Sequence, residues 1–292
     1  MNLDRFGMDT ITLAGPLEAK LDAIRGAGFT QVMLNAADLV GHPGGDAAAV
    51  AAVRASGLRV TGFQVLRDFE GLSGHLHAYK VDIAKAMLSM CRALGAKVLL
   101  ACSSSSAHAS GDPEGVVADL RKLATLAVPL GIDVAYEALS WGRHVDRVGQ
   151  AWRLVEAADR ANLGLAVDSF HMLAHQTDPS ALDEVDPDKV FLVQLSDFLW
   201  HQTPTRDERI ETARHFRVFP GEGVHGDVLA DTIRRLDAMG YRGDYSFEVF
   251  NDDYRQLPPS TVAERARRSV GWVAGVVARR SLPSRRGRGP DR

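Results

Sequence analysis

Eight short runs of β-branched, aromatic and other apolar residues recur along the chain, and nearly every one is followed by a longer stretch with helical apolar spacing. That alternation is the pattern of parallel strands joined by crossover helices. The runs are TITLA near Thr10, QVMLN from Gln31, RVTGFQV from Arg59, KVLLAC from Lys97, IDVAYEAL from Ile132, LGLAVDSF from Leu163, VFLVQLSD from Val190 and DYSFEVF from Asp244. Helical segments such as PLEAKLDAIRGAG, AYKVDIAKAMLSMCRALGA, PEGVVADLRKLATLAVPLG, DRVGQAWRLVEAAD and DVLADTIRRLDAMG lie between them, and TVAERARRSVGWVAGVVARR follows the eighth run. Pro16 at the start of the first segment and Gly26 and Gly28 at its end sit where a missing N–H and left-handed geometry cost least. An open doubly wound sheet uses the same units, but eight strands with a helix after nearly each favour closure. The expected fold class is therefore α/β, a single-domain (β/α)8 TIM barrel.

A chain of 292 residues with 46% hydrophobic content is long enough for one such core, since these barrels run to about 250 residues. From Arg279 onward the sequence RRSLPSRRGRGPDR turns basic and has almost nothing to bury. The expected boundaries are residues 1–280 for the barrel and 281–292 for a basic, disordered tail. Lys and Arg total 34 against 37 Asp and Glu, a formal charge of −3 that provides no broad cationic field for nucleic acid. No apolar run is long enough to cross a bilayer, so no membrane partner is expected. Two cysteines are too few for a disulfide framework and the start MNLDRFGMDT lacks a leader pattern, which together point to the cytoplasm.

In barrels of this kind the working groups project from the C-terminal ends of the strands, where the βα loops gather. Strand five ends in Tyr136-Glu137-Ala138, strand six in Val167-Asp168-Ser169, strand seven in Val193-Gln194-Leu195 and strand eight in Phe247-Glu248-Val249. Any one of these is readily a carboxylate or amide satisfied by a neighbouring donor. Four together are different: three carboxylates converging on one mouth repel each other unless a cation neutralises them. Oxygen-only ligation by Glu137, Asp168, Gln194 and Glu248 suits one hard divalent ion, Mg2+ or Mn2+, with Co2+ or Zn2+ also able to bind.

His171, three residues past Asp168, is the candidate base because imidazole titrates near neutral pH. His144 and His215 stand behind it. Arg67 after strand three, Arg143 after strand five and Arg217 before PGEG could bind a carboxylate bidentately, although a lone Arg is more often a surface charge. The SSSS run at Ser103 to Ser106 reads as a polar loop after strand four, and the segment from Phe198 to Phe219 is long enough to be a lid or binding loop. HExxH, Walker-type, GxSxG and paired CxxC motifs are missing, so zinc peptidase, P-loop and serine hydrolase chemistry have no local support.

Through YEALSWGRH, VDSFHML, VQLSD, RHFRVFPGEG and SFEVFND the chain resembles the xylose-isomerase-like barrels of sugar phosphate isomerases and epimerases, across nearly the whole barrel. Within them it looks most like the bacterial 3-dehydroshikimate dehydratases. The resemblance implies Glu137, Asp168, Gln194 and Glu248 as metal ligands and His171 as the proton-transfer residue, with Glu137 and Glu248 completing the catalytic set. It places Arg67, Arg217, Arg143 and His144 against the substrate. Gln194 at the third ligand position, where many isomerase relatives carry His, favours the dehydratase branch. Asn35 departs from the acidic residue expected there, and CSSSSAHAS replaces a different loop. No dioxygenase-like domain follows the barrel, so a stand-alone enzyme is expected, and relatives of this group often pair, which leaves a homodimer open.

The chemistry so implied is proton removal beside a ketone and loss of a β-hydroxyl, turning 3-dehydroshikimate or a similar polyhydroxy ketone or keto acid into an aromatic product. The alternative is a sugar or inosose isomerase or epimerase that returns the proton to carbon. An endonuclease-IV-like enzyme on the same barrel would need several more His ligands, and a barrel that only binds its ligand would show no proton exchange.

Overall fold

The structure, a computed structural model, describes residues 3–278; the basic tail expected at 281–292 lies outside them. Strands β1 (Phe6–Asp9), β2 (Gln31–Asn35), β3 (Arg59–Arg67), β4 (Val98–Cys102), β5 (Asp133–Glu137), β6 (Leu163–Asp168) and β7 (Val190–Leu195) are followed by the two-residue strands β8 (Asp197–Phe198) and β9 (Arg217–Val218) and by β10 (Tyr245–Phe247). Eight of them close a parallel barrel in the order β1-β10-β7-β6-β5-β4-β3-β2, while β8 and β9 form an antiparallel ribbon. Helices α1 (Leu17–Gly26), α2 (Ala36–Val40), α3 (Gly45–Ser56), α4 (Gly74–Leu94), α5 (Pro113–Ala127), α6 (Val148–Ala158), α7 (Ser169–Ala174), α8 (Arg206–His215), α9 (Gly226–Met239) and α10 (Pro259–Ala278) connect and surround the strands. The (β/α)8 expectation holds.

The first strand differs from the sequence reading. It is Phe6–Asp9, and Thr10–Thr12 of TITLA forms a 3₁₀ turn instead. The cause is local: Asp9 Oδ1 accepts the Ile11 N–H at 2.8 Å, which bends the chain out of the strand. Thr12 is then buried against the last strand, donating to the Phe247 carbonyl at 3.2 Å and accepting from the Val249 N–H at 3.0 Å, so the turn seals the barrel seam.

Side chains alternate along each strand, and the two faces bury against different partners. Val32, Leu34, Leu99, Val134, Leu165, Val167, Val193 and Leu195 belong to the large core between strands and helices. Met33, Leu100, Ala135, Ala166 and Leu192, of opposite parity, form a separate small core inside the barrel. Two residues beyond these inward positions come Asn35, Cys102, Glu137, Asp168 and Gln194. The same count from Gly7, Gly62 and Ser246 reaches Asp9, Gln64 and Glu248. Alternation alone thus directs a ring of polar residues and one thiol into the mouth.

The long connection after β7 is structured. The ribbon β8–β9 flanks α8, whose first turn is held by a reciprocal cap between Thr205 and Glu208. The excursion returns Arg217 to the barrel end, where its N–H donates to the Phe250 carbonyl at 2.9 Å. Among the described residues no helix is long and apolar enough to cross a membrane.

Candidate active site at the barrel mouth

Glu137, Asp168 and His171 place ligand-capable atoms within 4.8 Å of one another, all buried. Asp168 ends β6 and caps α7 by accepting the Phe170 N–H at 2.8 Å, and this cap turns His171 back over the barrel. His171 Nε2 lies 3.5 Å from Asp168 Oδ2 and 4.0 Å from Glu137 Oε1. Its ring packs edge-on against Trp141 and Phe170. Burial, then the charges of Arg217 and His175, hold His171 well below the ordinary imidazole range, so the ring is neutral.

Arg217 joins the other two carboxylates. Its guanidinium donates to Asp168 Oδ2 at 2.8 Å and to Glu248 Oε2 at 2.9 Å, with Nε on the Ala213 carbonyl at 3.0 Å. Phe170 and Phe250 cover its plane at 4.3 and 5.2 Å. Burial works against this charge, but Asp168, Glu248 and Glu137 more than offset it.

Glu137 has no such partner. Burial, then like-charge repulsion from Asp168 and Glu248, pushes it up to about 8, while Asp168, raised by burial but held down by Arg217, sits at about 6. Cys102 Sγ donates to Glu137 Oε2 at 2.9 Å, whereas Glu137 Oε1 is buried without a hydrogen-bond partner. Gln194, in register with Asp168 on one side and Ser246 on the other, is fully buried with both amide atoms unpartnered. Buried polar atoms are rarely left so. Orphaned oxygens on Glu137 and Gln194, in a cluster where one Arg pairs with only two of the three carboxylates, fit a divalent cation held by oxygen donors.

Of the remaining sequence candidates, Arg67 and Arg217 line the same cavity as Glu137, His171 and Glu248. Arg143 is exposed at the rim, its N–H donating to the Ser104 carbonyl at 2.8 Å. His144 is not brought to the mouth: it lines an outer groove between α5 and α6, and its Nε2 lies 2.9 Å from the Ala109 carbonyl oxygen. The turn after Gly142 carries it away from the barrel. His215 pairs instead with Asp252 on the rim at 2.9 Å. The serine run is a cradle for Asp68, whose Oδ1 accepts from the N–H groups of Ser105 and Ser106 at 2.8 and 3.1 Å.

Sequence reasoning missed several groups. Gln64 Nε2 bridges Asp9 Oδ2 and Glu248 Oε1, the latter at 2.9 Å, so β1 and β3 also orient a candidate ligand. Burial and then the Glu248 charge raise Asp9 well above the ordinary range. Trp141, Arg214 and Phe250 also line the cavity. For Asp9, Gln64 and Cys102 the signal was available, since counting by two from the inward glycines and leucine of their strands reaches them. For Arg214 and Phe250 no local pattern pointed inward.

A closed parallel barrel with oxygen donors gathered at the strand ends defines the (β/α)8 class, whose sites lie at that end of the barrel. Residues 21–274 match the family model of the xylose isomerase-like TIM barrel, and the chain belongs to that family. It is 39% identical over 264 residues to the 3-dehydroshikimate dehydratase of Pseudomonas aeruginosa, covering 90% of this chain and 41% of that one. It is 32% identical over 150 residues to the inosose isomerase of Halalkalibacterium halodurans, covering 51% and 50% respectively. Among solved structures, a xylose isomerase-like TIM barrel/4-hydroxyphenylpyruvate dioxygenase fusion protein superposes with a TM-score of 0.88 at 36% identity, covering 94% of this chain and 44% of that chain. The chain thus spans about two-fifths of the length of the dehydratase it matches.

Proposed function

We propose that this chain is a divalent-metal-dependent lyase that dehydrates 3-dehydroshikimate, or a closely similar polyhydroxy keto acid, to protocatechuate. The observation that carries the reading is the buried cluster of Glu137, Asp168 and His171, with Glu248 tied to Asp168 through Arg217. The 39% identity to a dehydratase over most of the chain supports the choice of substrate.

Glu137, Asp168, Gln194 and Glu248 are the residues that would hold Mg2+ or Mn2+, and a bound ion there would polarise the substrate ketone. His171, neutral and facing the cluster through Nε2, takes the proton from the carbon beside the ketone. The electron pair of the broken C–H bond becomes the new C=C bond as the β-hydroxyl departs, and the proton leaves with it as water. A further proton shift makes the ring aromatic. Trp141 and Phe250 wall the cavity, which limits water around the reacting carbon. Both cysteines, Cys91 and Cys102, are buried and unpaired, which suits a reducing cytoplasm.

The test is growth of an aromatic ultraviolet band when 3-dehydroshikimate and Mg2+ or Mn2+ are added to the purified protein; no band with any divalent metal overturns this substrate. The 32% identity to an inosose isomerase over half of the chain favours one second reading, isomerisation or epimerisation at the same site. Deuterium uptake beside the carbonyl of an inosose, without loss of water, would select it.

A further inference from the structure

Arg67, Arg214 and Arg217 all line the cavity that holds Glu137, His171 and Glu248, but only two have guanidinium groups free for a ligand. Arg217 is buried and committed. It spans Asp168 and Glu248, it is tied to the Ala213 carbonyl, and its plane is covered by Phe170 and Phe250. Turning it toward a substrate carboxylate would break both ion pairs and its bond to the Ala213 carbonyl. Arg67, at the end of β3, and Arg214, in the last turn of α8, are exposed, and among the described residues neither side chain has an ion pair or hydrogen bond. They come from different elements of the cavity wall. The same turn of α8 anchors Arg217 through Ala213 and presents Arg214 one residue later.

We infer that Arg214 acts with Arg67 as the carboxylate-binding pair of the site, and that Arg217 is an internal counter-ion rather than a substrate ligand. This rests on the acidic-substrate reading above and names the residue that would set it apart from a neutral inosose. A neutral polyol has nothing for Arg214 to hold, whereas a ring carboxylate can take hydrogen bonds from both guanidinium groups.

The experiment compares binding of protocatechuate with binding of catechol, the same ring diol without its carboxylate, in buffer containing Mg2+. Wild type is expected to bind protocatechuate more tightly. Arg214→Gln should weaken protocatechuate by about 10- to 100-fold while leaving catechol unchanged, and Arg214→Lys should recover part of the loss. In turnover the Gln variant should raise KM and leave kcat nearly intact. Equal binding of the two ligands by wild type, no protocatechuate binding, or equal losses of both ligands in Arg214→Gln would overturn the inference. If wild type prefers the carboxylate and Arg214→Gln abolishes that preference, yet 3-dehydroshikimate is not dehydrated, the clamp stands and the lyase reading falls.

Discussion

The Ser140 main-chain N–H donates to His171 Nδ1 across 3.1 Å, and the Ser140 hydroxyl oxygen lies 3.1 Å from the same nitrogen. The fixed backbone donor therefore favours one neutral form of the ring, and the hydroxyl supports the other. With its proton on Nε2, the imidazole accepts from the Ser140 N–H; with its proton on Nδ1, it donates to the Ser140 hydroxyl and frees the Nε2 lone pair toward the cluster.

Only the second form is a base at Nε2. Ser140→Ala keeps the backbone donor and removes the acceptor, so it should favour the unreactive form and lower kcat by about 10-fold or more, with little change in KM. Steady-state kinetics beside a melting curve would check this. Unchanged kcat in a folded variant would remove Ser140 from the mechanism.

Arg217 is the internal cation of the site, and its loss leaves Asp168 and Glu248 buried without it. Arg217→Met should destabilise the metal-free protein by about 3–5 kcal/mol at neutral pH. Added Mg2+ or Mn2+ should recover part of that loss. Urea unfolding with and without metal reads both effects, and a variant as stable as wild type in chelator would contradict the role.

Gln194 is buried with both amide atoms unpartnered. Gln194→Leu should leave the metal-free protein equally stable or more so, because it removes an unsatisfied polar group from the interior. The same change should weaken divalent-metal binding by about 10- to 100-fold. Calorimetric metal titration together with chelator-treated melting separates the two; unchanged metal affinity would take Gln194 out of the ligand set.

Glu70 gives a pH signature away from the candidate ligands. Burial pushes it up to about 7, although the Ser104 N–H and the Tyr136 hydroxyl, the latter at 2.9 Å, donate to it. Between the ordinary glutamate range and about pH 7 the folded chain holds a proton that the unfolded chain has released. Stability therefore falls as pH rises through that window, with the loss complete above it and on the order of 3 kcal/mol. Glu70→Gln preserves the accepting oxygen and lacks the titration. Its stability relative to wild type should grow from pH 5 to pH 8, and a constant difference across that range would show that Glu70 does not titrate there.

Much of the site was legible because strands alternate. Once KVLLAC, IDVAYEAL, LGLAVDSF and VFLVQLSD are read as strands, their polar ends can face only the mouth or the helices, and apolar neighbours already claim the helix side. The first stave was misread because TITLA has strand propensity as strong as FGMD, and a single Asp9 side-chain bond to Ile11 decides between them. His144 was misplaced because a loop residue's direction depends on the turn that precedes it, and local residue types carry no record of that direction.

The chain's own pattern determined the number of staves, their order and the inward set Glu137, Asp168, Gln194 and Glu248, because periodic burial is written residue by residue. Closure of the ring decided what those residues meet. Arg217 arrives from a ribbon and helix far along the chain to neutralise two carboxylates, and Gln64 reaches across to Glu248 from a strand 184 residues away. Such pairings depend on distances in space, and only the folded barrel brings those atoms within hydrogen-bonding reach.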